Sequence, residues 1–415
     1  MRSPSTDSAP LPSSLVPESL ERPGNDPIFA LLAEAVARQQ KGEDILNATL
    51  GALAGDDGKL SVLPTVTDAL RALPPAEFAA YAPIAGLPEF LDGVRTDLFE
   101  DHPLREQAIA VATPGGTGAL YAALVNFLDR GELLLTTSYY WEPYGILADH
   151  SGRGLETFRS FNDQGRLDLE DFERQLNGQL ARQDRAMVLL NTPCHNPTGY
   201  SLDDEEWSGV ADIVVAAARR KPVTLLLDHA YARFAGADTA DWRPHTAKIA
   251  EAAQVLVAWT ASKSFTLYGA RVGAAVAIHA EQAERTRLAS ALSYTARGTW
   301  SNGNRAVQRA VANILADDKL RASCEAERGQ LVEGLTARVE RFKDLAAEAG
   351  LRHPRYEGGF FVCVFSDDPK AAAAKMREAG VFVVPIQGAL RVALCSTPID
   401  SIPRLIGALS DAGCS

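Results

Sequence analysis

Residues 255–278 read Val-Leu-Val-Ala-Trp-Thr-Ala-Ser-Lys-Ser-Phe-Thr-Leu-Tyr-Gly-Ala-Arg-Val-Gly-Ala-Ala-Val-Ala-Ile. Two short runs, 255–259 and 272–278, are apolar on both faces, and a polar segment carrying Lys263 and Arg271 joins them. Runs of this length, with no polar side left to face water, suit strands buried on both faces of a sheet. Working outward, similar runs stand at 109–112, 133–136, 187–190 and 223–227, with longer helical stretches between them. That alternation predicts an α/β fold. Its large domain should hold a mainly parallel sheet covered by helices on both faces.

The pattern changes from about Asn304. Long helices rich in Ala, Arg, Glu and Leu are expected over 306–316 and 319–349. Two further strands, 360–365 and 390–395, are expected around a helix at 369–379. The first helix, 27–41, carries Ile28, Leu31, Leu32, Ala35 and Val36 at helical spacing. These pieces predict a smaller α+β domain built from the two chain ends. The expected division is 60–305 for the large domain and 27–59 plus 306–415 for the small one. Residues 1–26, rich in Pro, Ser and Asp, read as a disordered or loosely docked tail. There is no internal repeat and no heptad series.

Composition excludes several classes. The 415 residues are 46% hydrophobic and 23% charged, an ordinary globular balance, with a formal net charge of −12. A chain this acidic, without a Lys/Arg block, lacks the basic face that nucleic-acid binding requires. The five cysteines, Cys194, Cys324, Cys363, Cys395 and Cys414, are scattered and form no CxxC pair. Neither a metal site nor a disulfide framework is indicated, and reduced thiols in a cytoplasmic protein are expected. No window approaches the roughly 18 apolar residues of a membrane span, and the N-terminus lacks the apolar region of a secretory signal.

In open parallel sheets, ligands sit where loops leave the carboxyl ends of the strands. After 109–112 comes Thr-Pro-Gly-Gly-Thr-Gly-Ala-Leu (113–120). A helix opening there would offer N–H groups and a dipole to a phosphate, although a plain strand–helix turn has the same look. After 187–190 comes Asn-Thr-Pro-Cys-His-Asn-Pro-Thr-Gly (191–199), a rigid polar turn. Asp228-His-Ala-Tyr231 follows 223–227; a carboxylate at a strand end is as often a helix cap. Lys263 and Arg271 follow 255–259, where a lone lysine among serines is usually a solvated loop residue. The conjunction carries more than its parts. A phosphate cradle, a polar turn, a carboxylate with a phenol, and a lysine followed by an arginine make up the inventory that holds pyridoxal phosphate.

Further motifs stand in order along the chain. They are Leu-Gly-Ala (50–52) with GDDGK (55–59) and VLP (62–64), YAPIAGLPEF (81–90), GGTGAL (115–120) and HNPTG (195–199). DHAY (228–231), Lys263 eight residues before Arg271 in ARVG, and RGTWSN (297–302) follow. With these motifs the sequence resembles the fold-type I, class I aminotransferases, in their aspartate/aromatic branch, from about Pro27 to Leu409. The resemblance implies a seven-stranded type of sheet in the large domain, pyridoxal 5′-phosphate as cofactor, amino acid and 2-oxo acid substrates, and a homodimer with shared active sites.

Carried over residue by residue, it implies Lys263 as the Schiff-base lysine and Asp228 as partner of the pyridine nitrogen. Asn196 and Tyr231 would bond the phenolic oxygen. Gly115, Gly116, Thr117, Thr260 and Arg271 would form the phosphate cup, with Tyr81 reaching it from a second subunit. Trp141 is the candidate to stack on the ring, with Tyr139 and Tyr140 as competitors. Gly51 would lie on the segment closing over substrate, and Arg391 would fork onto the α-carboxylate. Arg297 would receive a side-chain carboxylate from the neighbouring subunit's site.

Three departures bear on substrate. Gly115 stands where the family usually has Ser, Ala393 where Asn usually follows the carboxylate arginine, and Pro143 with Tyr144 where other residues follow the stacking aromatic. The expected reaction is transamination, with Lys263 moving a proton as general acid/base and a dicarboxylate as one partner. A β- or γ-eliminating lyase or a cyclising synthase on the same scaffold would share these cofactor residues, but it would need no second substrate. A cofactor-sensing regulator would carry an added DNA-binding domain, which about 25 residues of tail do not provide.

Overall fold

The computed structural model describes residues 13–24, 27–236 and 238–414. Seven strands form its main sheet: β1 (Ala108–Thr113), β2 (Leu133–Thr137), β3 (Gly154–Phe158), β4 (Ala186–Asn191), β5 (Val223–Asp228), β6 (Gln254–Thr260) and β7 (Gly273–Ile278). Their order across the sheet is β1-β7-β6-β5-β4-β2-β3. β7 runs antiparallel to both its neighbours, and the other pairs are parallel. The mixed, mainly parallel α/β sheet expected from the apolar runs is therefore present.

Every residue of β4, β5 and β7 is buried. Fully burying one Val, Leu or Ile side chain contributes about 1.5–3 kcal/mol, so these strands anchor the sheet. Apolar clusters lie against both faces, one around Phe172, Trp207 and Trp259 and the other around Leu120, Leu124 and Leu292. The seventh strand, β3, falls on none of the apolar runs. It lies at the sheet edge, and of its five residues Phe158 alone is buried, so no continuous run marks it.

A second layer of structure joins the chain ends. Strands β8 (Phe361–Phe365), β9 (Val384–Ile386) and β10 (Ala389–Ala393) form an antiparallel sheet in the order β9-β10-β8. Leu46–Asn47 pairs in parallel with Val381–Phe382, which ties the N-terminal segment to the C-terminal one. The helices expected near 27–41, 306–316, 319–349 and 369–379 appear as Pro27–Gln40, Arg305–Ala316, Asp318–Glu348 and Pro369–Glu378. A third apolar cluster unites Leu46, Ala48 and Leu53 with Leu335, Phe342, Val362 and Leu405. Residues from Val307 to Cys324, by contrast, pack with the main-sheet cluster. Of the expected tail, residues 1–12 and 25–26 lie outside the described residues, and 13–24 hold a short helix, Pro17–Leu20, with no buried residue.

Candidate active site

Strand register brings the chemistry to one end of the sheet. Asn191 of β4 lies opposite Asp228 of β5, and Asp228 opposite Ala258 of β6. β5 is the central strand, so the Asp228 carboxylate emerges in the middle of the carboxyl edge. Two residues beyond Ala258, Thr260 caps the short helix Ala261–Ser264 by accepting the Ser262 N–H at 3.1 Å. That helix holds Lys263 at the same edge. At the neighbouring strand end, a Cβ on Gly273 would stand 2.6 Å from the Gly115 backbone and from the Trp259 oxygen. Only glycine there lets the loop before helix Gly115–Phe127 approach so closely.

A cavity of about 380 Å³ opens at this edge, within the size range of small-molecule sites. Gly51, Gly116, Thr117, Trp141, Asn196, Asp228, Tyr231, Thr260, Lys263, Arg271 and Arg391 all line it. Gly115 lies just behind, with φ +72°; a Cβ there would meet the Arg271 guanidinium at 2.6 Å. Tyr81 and Arg297 are not on this wall within one chain. Tyr81 is 85% exposed, and Arg297, in the last turn of helix Gln282–Thr299, donates to Ser301 Oγ at 2.7 Å.

Trp141 is on the cavity wall, edge-on to Tyr144. Tyr139 instead turns toward Phe161 and Phe365, away from the cavity lining, and Tyr140 stacks beside Tyr144. The geometry thus places Trp141, of the three aromatics, where a ring could stack.

Lys263 Nζ donates to the Gly51 oxygen at 2.9 Å and lies 4.6 Å from the centre of the Tyr268 ring. Burial, followed by nearby cations, pushes its ammonium down to about 8. Asp228 is pushed the other way, up to about 6, by burial. Its Oδ2 accepts from the Tyr144 hydroxyl at 2.6 Å and its Oδ1 from the Ala230 N–H at 3.2 Å. Asn196 Nδ2 donates to Tyr231 Oη at 3.2 Å, while Asn196 Oδ1 is buried with no hydrogen-bond partner among the described residues. Arg391 Nη2 donates to the Thr49 oxygen at 2.9 Å, and its guanidinium lies 4.6 Å from the centre of the Phe361 ring.

These residues fit pyridoxal phosphate. An amine partly stripped of its proton at neutral pH can form the covalent link, and a buried carboxylate faces it across the cavity. The unsatisfied amide oxygen of Asn196 points to a missing polar partner at the Asn196–Tyr231 pair. The N–H groups of Gly116 and Thr117 open a helix beside Arg271, an anion site by position and charge.

Several contributors escaped the sequence motifs. Ser262 bonds Thr260 at 2.9 Å and Arg271 at 3.3 Å, so it belongs to the anion pocket. Its signal was present, a hydroxyl directly before Lys263. Tyr268 and Phe361 add aromatic walls, and Ile28 and Leu32 of the first helix complete the apolar side. Tyr144 was marked in the sequence only as a departure after the stacking aromatic, not as a site residue.

The sequence profile of the aminotransferases of class I and II matches residues 43–409. An aromatic-amino-acid aminotransferase from Paracoccus denitrificans is 27% identical, covering 94% of this chain and 97% of that protein. Among solved structures, an aminotransferase from Anaerococcus prevotii superimposes with a TM-score of 0.90 at 32% identity, covering 96% of this chain and 99% of that one. An aromatic-amino-acid aminotransferase from Burkholderia pseudomallei, covalently bound to pyridoxal phosphate, matches with a TM-score of 0.79 at 26% identity, covering 95% of this chain and 98% of that one. The chain belongs to the class I and II aminotransferase family.

Proposed function

We propose that this aminotransferase moves an amino group between an amino acid and a 2-oxo acid, with a dicarboxylate as one partner, as a cytoplasmic homodimer. The observation that carries the reading is one cavity walled by Lys263, Asp228 and Arg391 together. Pyridoxal phosphate, when bound, supplies the electron sink for charge developing at the substrate Cα. Arg391 would hold the α-carboxylate, its guanidinium offering paired donors. Lys263, lowered to about 8, would take and return the proton at Cα near neutral pH. Asp228 would keep the ring nitrogen protonated, and Asn196 and Tyr231 would bond the ring oxygen.

The dicarboxylate and the dimer rest on Arg297 and Tyr81. Both are exposed in a single chain, where Arg297 bonds Ser301. The apolar side formed by Ile28, Leu32 and Phe361 favours a bulky, uncharged side chain on the other substrate. The buried free cysteines and the net charge of −12 support a reducing, aqueous compartment. No helix of the described residues is long and apolar enough to cross a membrane. For the division expected at 60–305 against 27–59 plus 306–415, we propose one change: the second boundary moves from 306 to inside helix Asp318–Glu348, where Cys324 packs with one core and Leu335 with the other.

The test mixes holoprotein with a panel of amino acids and follows the growth of the cofactor band near ~330 nm, which reports amino-group capture. Adding a 2-oxo acid should reverse the band. Release of ammonia and a keto acid with no 2-oxo acid present would replace transamination by elimination.

A further inference from the structure

Asp228 reaches the cavity with two carboxylate oxygens to satisfy, and the donor to one of them comes from an unexpected place. Tyr144 lies in the first turn of helix Pro143–His150 and is 1% exposed. Its hydroxyl donates to Asp228 Oδ2 at 2.6 Å, the length of a charge-assisted O–H···O⁻ bond. Trp141 packs edge-on at 5.5 Å and Tyr140 stacks at 6.5 Å, so the phenol ring is held in one plane. Burial, then the Asp228 charge, holds the Tyr144 proton well above the ordinary tyrosine range. The phenol is therefore a neutral donor across the neutral pH range. Tyr231 and Lys263 also face this pair, and burial keeps the adjacent His229 neutral, at about 3.

We propose that Tyr144 is a positioning residue that orients Asp228 and keeps it ionised toward the cofactor's ring nitrogen, a role resting on the assignment of Asp228 above. The physical need is clear from the burial. A carboxylate in this setting takes up a proton near pH 6 even with the phenol lowering it. Without that donor it becomes a stronger base, competing with the ring nitrogen for the shared proton. A neutral phenol also differs from a donor that titrates near pH 6.5, because its contribution is constant across the neutral range.

The experiment titrates the visible absorbance of the loaded protein between pH 5 and 10, for wild type, Tyr144→Phe, and protein with 3-fluorotyrosine at position 144. With less electron withdrawal by the ring, the Lys263 nitrogen becomes more basic, so Tyr144→Phe should raise the midpoint by about half to one pH unit. The fluorinated residue packs alike but donates more strongly, and it should move the midpoint the other way. kcat should fall about tenfold in Tyr144→Phe with KM little changed. Asp228→Asn is the reference. If it moves the midpoint while both Tyr144 changes leave midpoint and kcat unaltered, Tyr144 is only packing. If Asp228→Asn itself leaves the midpoint in place, the assignment of Asp228 has failed instead.

Discussion

Lys263 Nζ is bonded to the backbone oxygen of Gly51, 2.9 Å away and 212 positions earlier in the chain. The lysine that would carry the cofactor is thereby tied to the segment that would close over substrate. In the cofactor-free protein this bond partly offsets an ammonium that burial disfavours. A buried lysine lowered from its ordinary value to about 8 contributes stability above about pH 10.5 that is lost as pH falls through 8. Lys263→Met should therefore stabilise the cofactor-free protein at pH 7. The gain should be about 2 kcal/mol, since part of the amine faces the cavity, and should shrink steadily above pH 8. Urea unfolding at pH 7 and pH 9.5 measures it; a gain independent of pH would remove the charge argument. The same variant, like Lys263→Ala, should hold cofactor weakly and have no measurable turnover.

Asp228→Asn keeps the size and shape of a side chain buried at the end of a central strand. It should fold, bind cofactor and lose several orders of magnitude in kcat. The charge-assisted bond removed is worth roughly 1.5–3 kcal/mol in the ground state and more where charge develops in the reaction. Single-turnover kinetics with one amino acid decides it. A twofold loss would reduce Asp228 to a partner for the Ala230 N–H.

Gly115→Ala tests the anion pocket. The φ of +72° costs a side-chain-bearing residue about 1–2 kcal/mol, and the new Cβ would press on the Arg271 guanidinium, 2.6 Å away. Phosphate-dependent affinity should suffer most. Equilibrium dialysis with pyridoxal phosphate and with pyridoxal should show a large loss for the first and a small one for the second. Equal losses would place the phosphate elsewhere.

Arg297→Ala bears on the dicarboxylate partner. If its guanidinium enters a neighbouring subunit's cavity, its removal leaves a substrate carboxylate unpaired, costing roughly 2–5 kcal/mol for 2-oxoglutarate. A neutral 2-oxo acid should be affected far less. kcat/KM for both, in wild type and variant, separates the outcomes: parallel losses would make Arg297 a support for the helix end, where it already bonds Ser301.

What the sequence determined by itself was local and periodic. The run 223–227 reads as a strand buried on both faces, with Asp228 at its end. The same reasoning located Lys263 after the run 255–259 and Gly115 where a helix opens after 109–112, and the conjunction of these strand-end residues with the motif order supplied the cofactor. Strand β3 escaped because an edge strand, half open to solvent, needs no continuous apolar run. Only the tertiary structure decided the rest. Tyr144 and Asp228 are 84 positions apart, and their bond depends on how helix Pro143–His150 packs in the folded chain. The choice of Trp141 over Tyr139 turns on which ring the chain aims at the cavity and which at Phe365. Residue type and spacing determine how a strand or helix is buried, whereas contacts between distant side chains depend on register and packing angle, which no short stretch of sequence encodes.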